Sequence, residues 1–124
     1  NFGEAWGGIG SLQLRLPATW TGAANRGVEL PQLSRWLAEE PARLAGLGRH
    51  KGAIAVGMDA DFVVWDPDGV TRVKGADLEH RHPITPYEGM SLRGSVVTTI
   101  LGGAPVFDGT TVGPASGRML RRDD

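Results

Sequence analysis

The stretch Arg49-His-Lys-Gly-Ala-Ile-Ala-Val-Gly-Met-Asp-Ala-Asp-Phe-Val-Val-Trp-Asp66 divides the chain into halves of different character. Gly52 and Gly57 within it can each make a turn. Phe62-Val63-Val64-Trp65, bracketed by Asp61 and Asp66, is a β-branched and aromatic run that reads as a buried strand. Asp66-Pro67-Asp68-Gly69 then reads as a turn. Upstream of the stretch the pattern is helical; downstream it is strands and turns.

Working downstream, Val70-Thr-Arg-Val73 alternates as a half-buried strand does. Asp77-Leu-Glu-His-Arg-His-Pro83 is a polar connection, and Thr85-Pro-Tyr-Glu-Gly89 is a turn. Ser95-Val-Val-Thr-Thr-Ile-Leu101 carries the strongest strand signal in the chain. Gly102-Gly103 makes a two-residue hairpin to a return strand, Ala104-Pro-Val-Phe-Asp108, with Pro105 near an edge. Asp108-Gly109 turns again into Thr110-Thr-Val112. The tail from Gly113 to Asp124 is expected to be mobile, with its arginines in solvent.

Working upstream, residues 1–10 form a glycine-rich loop. Ile9, Leu12, Leu14 and Leu16 begin an apolar helical pattern in which Pro17 makes a kink or a boundary. Asn25-Arg26-Gly27 is a helix stop. Leu30-Pro31 starts a second helix, with Leu33, Trp36 and Leu37 on one face. Pro41 to Leu47 is a short third helix that Gly46 and Gly48 end. It has no Ser or Thr cap, so its start depends on tertiary packing. Glu39 and Glu40 point about 100° apart on a helix, which suits a solvated start and not an acid/base pair.

The 124 residues make one domain or a piece of one, long enough for a workable core. A net charge of −1 gives no field for nucleic acid or an anionic membrane. The absence of cysteine excludes disulfides and thiolate metal sites. No apolar run approaches the ~20 residues of a membrane span, and no signal peptide is visible. The 19 glycines punctuate the chain, which implies turns and not disorder. The chain opens inside a dense apolar and glycine loop, so it reads as a fragment.

No complete catalytic constellation is present. His80-x-His82 has ligand-like spacing, but a zinc site needs three or four ligands, and the expectation is surface histidines. No serine stands in a Gly-x-Ser-x-Gly elbow. Gly3 to Gly10 lacks the strand and Lys-Ser/Thr of a phosphate loop. Its backbone N–H groups are the one local hint of a site, since they can meet a polar ligand edge. Asp59, Asp61 and Asp66 are read as turn and strand-end residues, with Asp61 bonding nearby backbone N–H groups.

Lys51-Gly-Ala-Ile-Ala-Val-Gly-Met-Asp-Ala-Asp-Phe-Val-Val-Trp-Asp66 resembles the C-terminal signature of the cyclic amidohydrolases. These are metal-dependent hydrolases that include allantoinase, hydantoinase, dihydropyrimidinase and dihydroorotase. Glu40-Pro-Ala-Arg-Leu-Ala-Gly-Leu47 matches the helix that precedes that signature. Ala5-Trp-Gly-Gly-Ile-Gly-Ser-Leu-Gln-Leu14, with Leu16-Pro17, Trp20 and Thr85-Pro-Tyr-Glu-Gly89, looks most like the allantoinase branch.

The resemblance covers about residues 2–108 and implies an α+β fragment. Residues 1–48 would be the loop and closing helices from the end of a (β/α)8 barrel. Residues 49–112 would be the C-terminal part of a β-sandwich, and 113–124 a tail. The loop would follow the last barrel strand, so Ala5, Trp6, Gly7 and Gly8 are the candidate substrate-binding residues. The family's metal ligands have no counterpart here: no metal is expected on this chain, and a divalent metal, zinc or similar, in the intact enzyme. There, a metal-activated water would attack a ring amide, and the substrate would be a cyclic ureide. The resemblance further implies a cytoplasmic enzyme of purine catabolism and an inactive isolated fragment. Hydantoinase, dihydropyrimidinase or dihydroorotase activity is the nearer alternative. A non-catalytic β-sandwich module for assembly or binding is the further one. Open sheet edges imply self-association, near Ser95–Leu101 or Val106–Thr111.

Overall fold

The computed structural model describes residues 9–81 and 84–120. Its elements run α1 (Arg15–Ala24), α2 (Leu30–Ser34), a π-helical turn (Arg35–Glu39), α3 (Glu40–Leu44), β1 (Phe62–Arg72), β2 (Ser91–Leu101) and β3 (Ala104–Phe107). The strands form one antiparallel sheet in the order β1-β2-β3. The mixed helix and sheet expectation therefore holds.

Of the two expectations for Pro17, the boundary holds and the kink does not. Pro17 is the third helical residue of α1, where an N–H would have no intrahelical partner. The helix ends in a Schellman motif. Val28 N–H reaches Ala23 O at 3.1 Å and Gly27 N–H reaches Ala24 O at 3.0 Å, with Gly27 at φ 73°. Gly46 repeats the motif after α3: Leu47 N–H bonds Ala42 O at 2.8 Å and Gly46 N–H bonds Arg43 O at 3.1 Å.

The second and third helices prove to be one continuous helical run. Its π turn, marked by Glu40 N–H bonding Arg35 O, widens the spiral just before Pro41 and makes room for a ring that would strike an α-helical turn. No separate cap is needed, because the run has no second start. The wider turn also breaks the expected apolar face. Leu33 is buried and Leu37 packs beside it, but Trp36 is 45% exposed.

The expected turn at Asp66–Gly69 is a bulge inside β1. Asp66 pairs with Ser95 and Val70 with Arg93, so β1 carries two extra residues against β2. Pro67 sits in the bulge, where no ladder N–H is required, and its carbonyl accepts from Trp20 Nε1 at 2.9 Å. The Phe62–Trp65 run is not buried as expected. Val63 and Val64 are each 48% exposed, because no second layer among the described residues covers this end of the sheet.

Helix α1 lies across β2. Trp20 meets Trp65 edge-on with ring centroids 5.8 Å apart, and the Arg93 guanidinium stands 5.5 Å from the Trp20 ring. Gly94 makes this possible: a Cβ there would lie 2.8 Å from Trp65 Cζ3 and 3.3 Å from Trp20 Cδ1. Two small clusters form the core. Leu14, Val73 and Leu92 make one; Trp20, Ala23 and Leu33 make the other. The workable core expected from length is thus small and divided. The accessible surface of 9321 Å² compares with roughly 6,400 Å² for a compact monomer of this mass. Contacts run past β3 into the tail as far as Gly117. Phe107 bridges to Val112, Gly113 N–H bonds Val106 O at 2.8 Å, and Gly117 lies against Leu101.

Candidate functional site

The sequence places its candidate substrate residues, Ala5, Trp6, Gly7 and Gly8, outside the described residues, as is His82. What the structure positions is the segment that directly follows that loop. Residues 9–17 face the sheet across an open cavity of about 880 Å³. Its sheet wall includes Val63, Val96, Thr99, Leu101 and Val106, and the tail from Val112 to Gly117 closes one side. These sheet residues are mostly apolar, as a sheet face built for coverage is, while Lys74, Asp77, Glu79 and His80 line the cavity beyond the end of β1.

The signature stretch folds into a loop pinned at both ends. Gly52, at φ 94°, lies against Ala42 at a distance that leaves no room for a side chain. Lys51 Nζ contacts both Asp59 Oδ2, at 2.7 Å, and Asp61 Oδ2. Asp61 Oδ1 accepts the Gly102 N–H at 2.7 Å, so the loop is tied to the β2–β3 hairpin. Gly103 N–H adds a bond to Ala60 O at 2.9 Å. The Lys51 ammonium holds the Asp61 carboxyl below the usual carboxylate range, helped by the Gly102 N–H. Asp59 and then Asp61 hold the Lys51 ammonium above its usual range. The two aspartates answer each other through a lysine cation, so they do not form a metal cradle. Among the described residues no group of three His, Asp or Glu side chains converges, and these residues do not fit a divalent metal.

Asp61 bonds a backbone N–H as its position suggested, and Asp66 accepts from Asp68 N–H at 2.9 Å as a turn residue does. Glu39 and Glu40 are solvated, with Arg35 bridging both and Arg43 paired with Glu40. Arg43, and then Arg35, hold the Glu40 carboxyl below its ordinary range. His80 departs from the expectation of a surface histidine. Its ring packs against Gly10, and Nε2 is buried without a hydrogen-bond partner among the described residues. Only a glycine spaced to receive the ring hinted at this, and the contact joins residues 70 positions apart in number.

The family model for the amidohydrolase family matches residues 9–106. The chain belongs to the amidohydrolase family. It is similar to the allantoinase of Streptomyces avermitilis, 47% identical over 124 residues, covering 99% of this chain and 27% of that one. It is also similar to the allantoinase of Arabidopsis thaliana, 45% identical over 109 residues, covering 86% of this chain and 21% of that one. Among solved structures it resembles the L-hydantoinase (dihydropyrimidinase) of Arthrobacter aurescens, with TM-score 0.81 and 32% identity over 90% of this chain and 25% of that one. The D-hydantoinase of a Thermus species gives TM-score 0.81 and 28% identity over 91% of this chain and 25% of that one. This amidohydrolase chain thus spans about a quarter of the length of the relatives it matches.

Proposed function

We propose that the chain is the C-terminal part of an allantoinase, which opens the ring amide of allantoin with water to give allantoate. The observation that carries this is the 47% identity to an allantoinase across 99% of the chain, well above the 32% to a hydantoinase structure. Hydantoinase or dihydropyrimidinase activity is the second reading, favoured by the shared backbone.

In the leading reading, residues 1–48 are the loop and closing helices of a (β/α)8 barrel and 49–112 a share of a β-sandwich. The exposed face of Val63 and Val64 is what a covering layer would bury. Ala5, Trp6, Gly7 and Gly8 offer backbone groups to the cyclic ureide. A divalent metal, zinc or similar, belongs to the intact enzyme in a cytoplasmic setting. The described residues contribute position: the 9–14 segment, held by Gln13 and Leu14, fixes where the loop ends. No helix among the described residues is long and apolar enough to cross a membrane.

The test is the complete reading frame that encodes this segment, read upstream of Asn1 and expressed whole. A His-x-His and a Ser-Asp-His upstream, with turnover of allantoin faster than of hydantoin or dihydropyrimidine, are the expected results. Faster turnover of hydantoin would favour the second reading, and no ureide hydrolysis at all would overturn both.

A further inference from the structure

We propose that His80 and Gln13 are positioning residues that fix the segment Gly10–Leu14, and through it the end of the candidate substrate loop. The loop's role rests on the functional reading above; the anchoring rests on contacts. Gly10 lies against two groups of the distant segment 78–84. A Cβ added to it would stand 3.1 Å from His80 Nδ1 and 3.1 Å from the Ile84 carbonyl oxygen. Gly10 does not have the positive φ that marks Gly27 or Gly94, so what glycine supplies there is space for the contact. Three residues on, Gln13 Oε1 accepts the Glu79 backbone N–H at 2.8 Å. Leu14 is then buried with Val73 and Leu92, and Leu78 packs against them.

Steric contact, hydrogen bond and apolar burial therefore follow in order along both segments. Together they tie the chain just after Gly8 to the connection between β1 and β2. His80 Nε2 is buried without a partner among the described residues. A side chain that only filled space would avoid a polar atom there. Backbone contacts to a substrate depend on placement to within a fraction of an ångström. A loosened anchor should therefore weaken substrate capture more than turnover.

The experiment uses the product of the complete reading frame with His80→Ala, Gln13→Ala and His80→Gln. Gln13 is exposed, so its substitution leaves the core intact. Hydrogen exchange at Gly10–Leu14 is compared with exchange in Ser91–Leu101, and KM and kcat for allantoin are measured alongside. Expected are exchange about fivefold or more faster at Gly10–Leu14 with the strand unchanged, and KM raised about threefold or more with kcat moved less. His80→Gln should recover part of both. Unchanged exchange in both alanine variants would overturn the proposal, and so would faster exchange with unchanged KM. If the wild type hydrolyses no ureide, the functional reading fails while exchange still decides the anchoring.

Discussion

Lys51 holds two carboxylates, Asp59 and Asp61, and through Asp61 it joins the loop to the β2–β3 hairpin. Replacing it with methionine leaves both carboxylates partly buried and facing each other. After allowance for solvent screening, Lys51→Met should cost roughly 1–2 kcal/mol in chemical denaturation. Asp61 gives a pH signature. Its folded pKa is depressed, so its contribution is present above the unfolded value near ~4 and lost as pH falls through the folded one. Lys51 is raised, so its contribution is present below ~10.4 and lost as pH rises through its folded value. The stability gap between wild type and Asp61→Asn, followed by thermal unfolding from pH 7 to pH 3, should therefore narrow below pH ~4. A gap independent of pH would contradict the clasp. The bond from Asp61 to a backbone N–H was legible, because an aspartate at a strand entry has few other partners. The lysine was not, because its contact depends on the path of a ten-residue loop that no local pattern encodes.

Glycines ending helices were legible, and a glycine inside a strand was not. Gly27 and Gly46 follow apolar helical runs and adopt the left-handed caps expected of them. Gly94 stands inside β2, and its reason lies in Trp20 from a helix and Trp65 from a neighbouring strand. The two kinds differ in consequence. Gly27 has nothing within 4 Å of an added Cβ, so Gly27→Ala should cost only backbone strain, about 1 kcal/mol. Gly94→Ala adds a clash with Trp65 and should cost roughly 2–4 kcal/mol. Equal losses in denaturant titrations would show that the tryptophan pair does not need the space. The same distinction explains the misread elements. Asp66-Pro67-Asp68-Gly69 has turn chemistry, yet β2 continues past it and the stretch becomes a bulge. Pro41 has boundary chemistry, yet a π turn carries the helix through it.

The chain exposes Val63, Val64, Val97 and Val112 on and beside a three-stranded sheet. Ser95–Leu101 proves to lie in its central strand and is no edge, Val112 and Gly113 cover part of the β3 edge, and the β1 edge has no partner strand among the described residues. Such a surface and such an edge recruit strands or copies of the same chain. The isolated 124-residue chain should therefore self-associate, with mass rising with concentration in light scattering; a strictly monomeric species at high concentration would contradict this. The family was legible from the 49–66 signature, while the uncovered faces were not, since a pattern of apolar residues does not say which segment covers them. The functional reading meets its sharpest trial in allantoin hydrolysis, measured with added Zn²⁺ or Mn²⁺ on the complete reading-frame product and on this chain alone. Turnover by the former and none by the latter is the expected result. Hydrolysis by the 124 residues alone, or none by the complete product, would contradict the reading of this chain as the C-terminal part of an allantoinase.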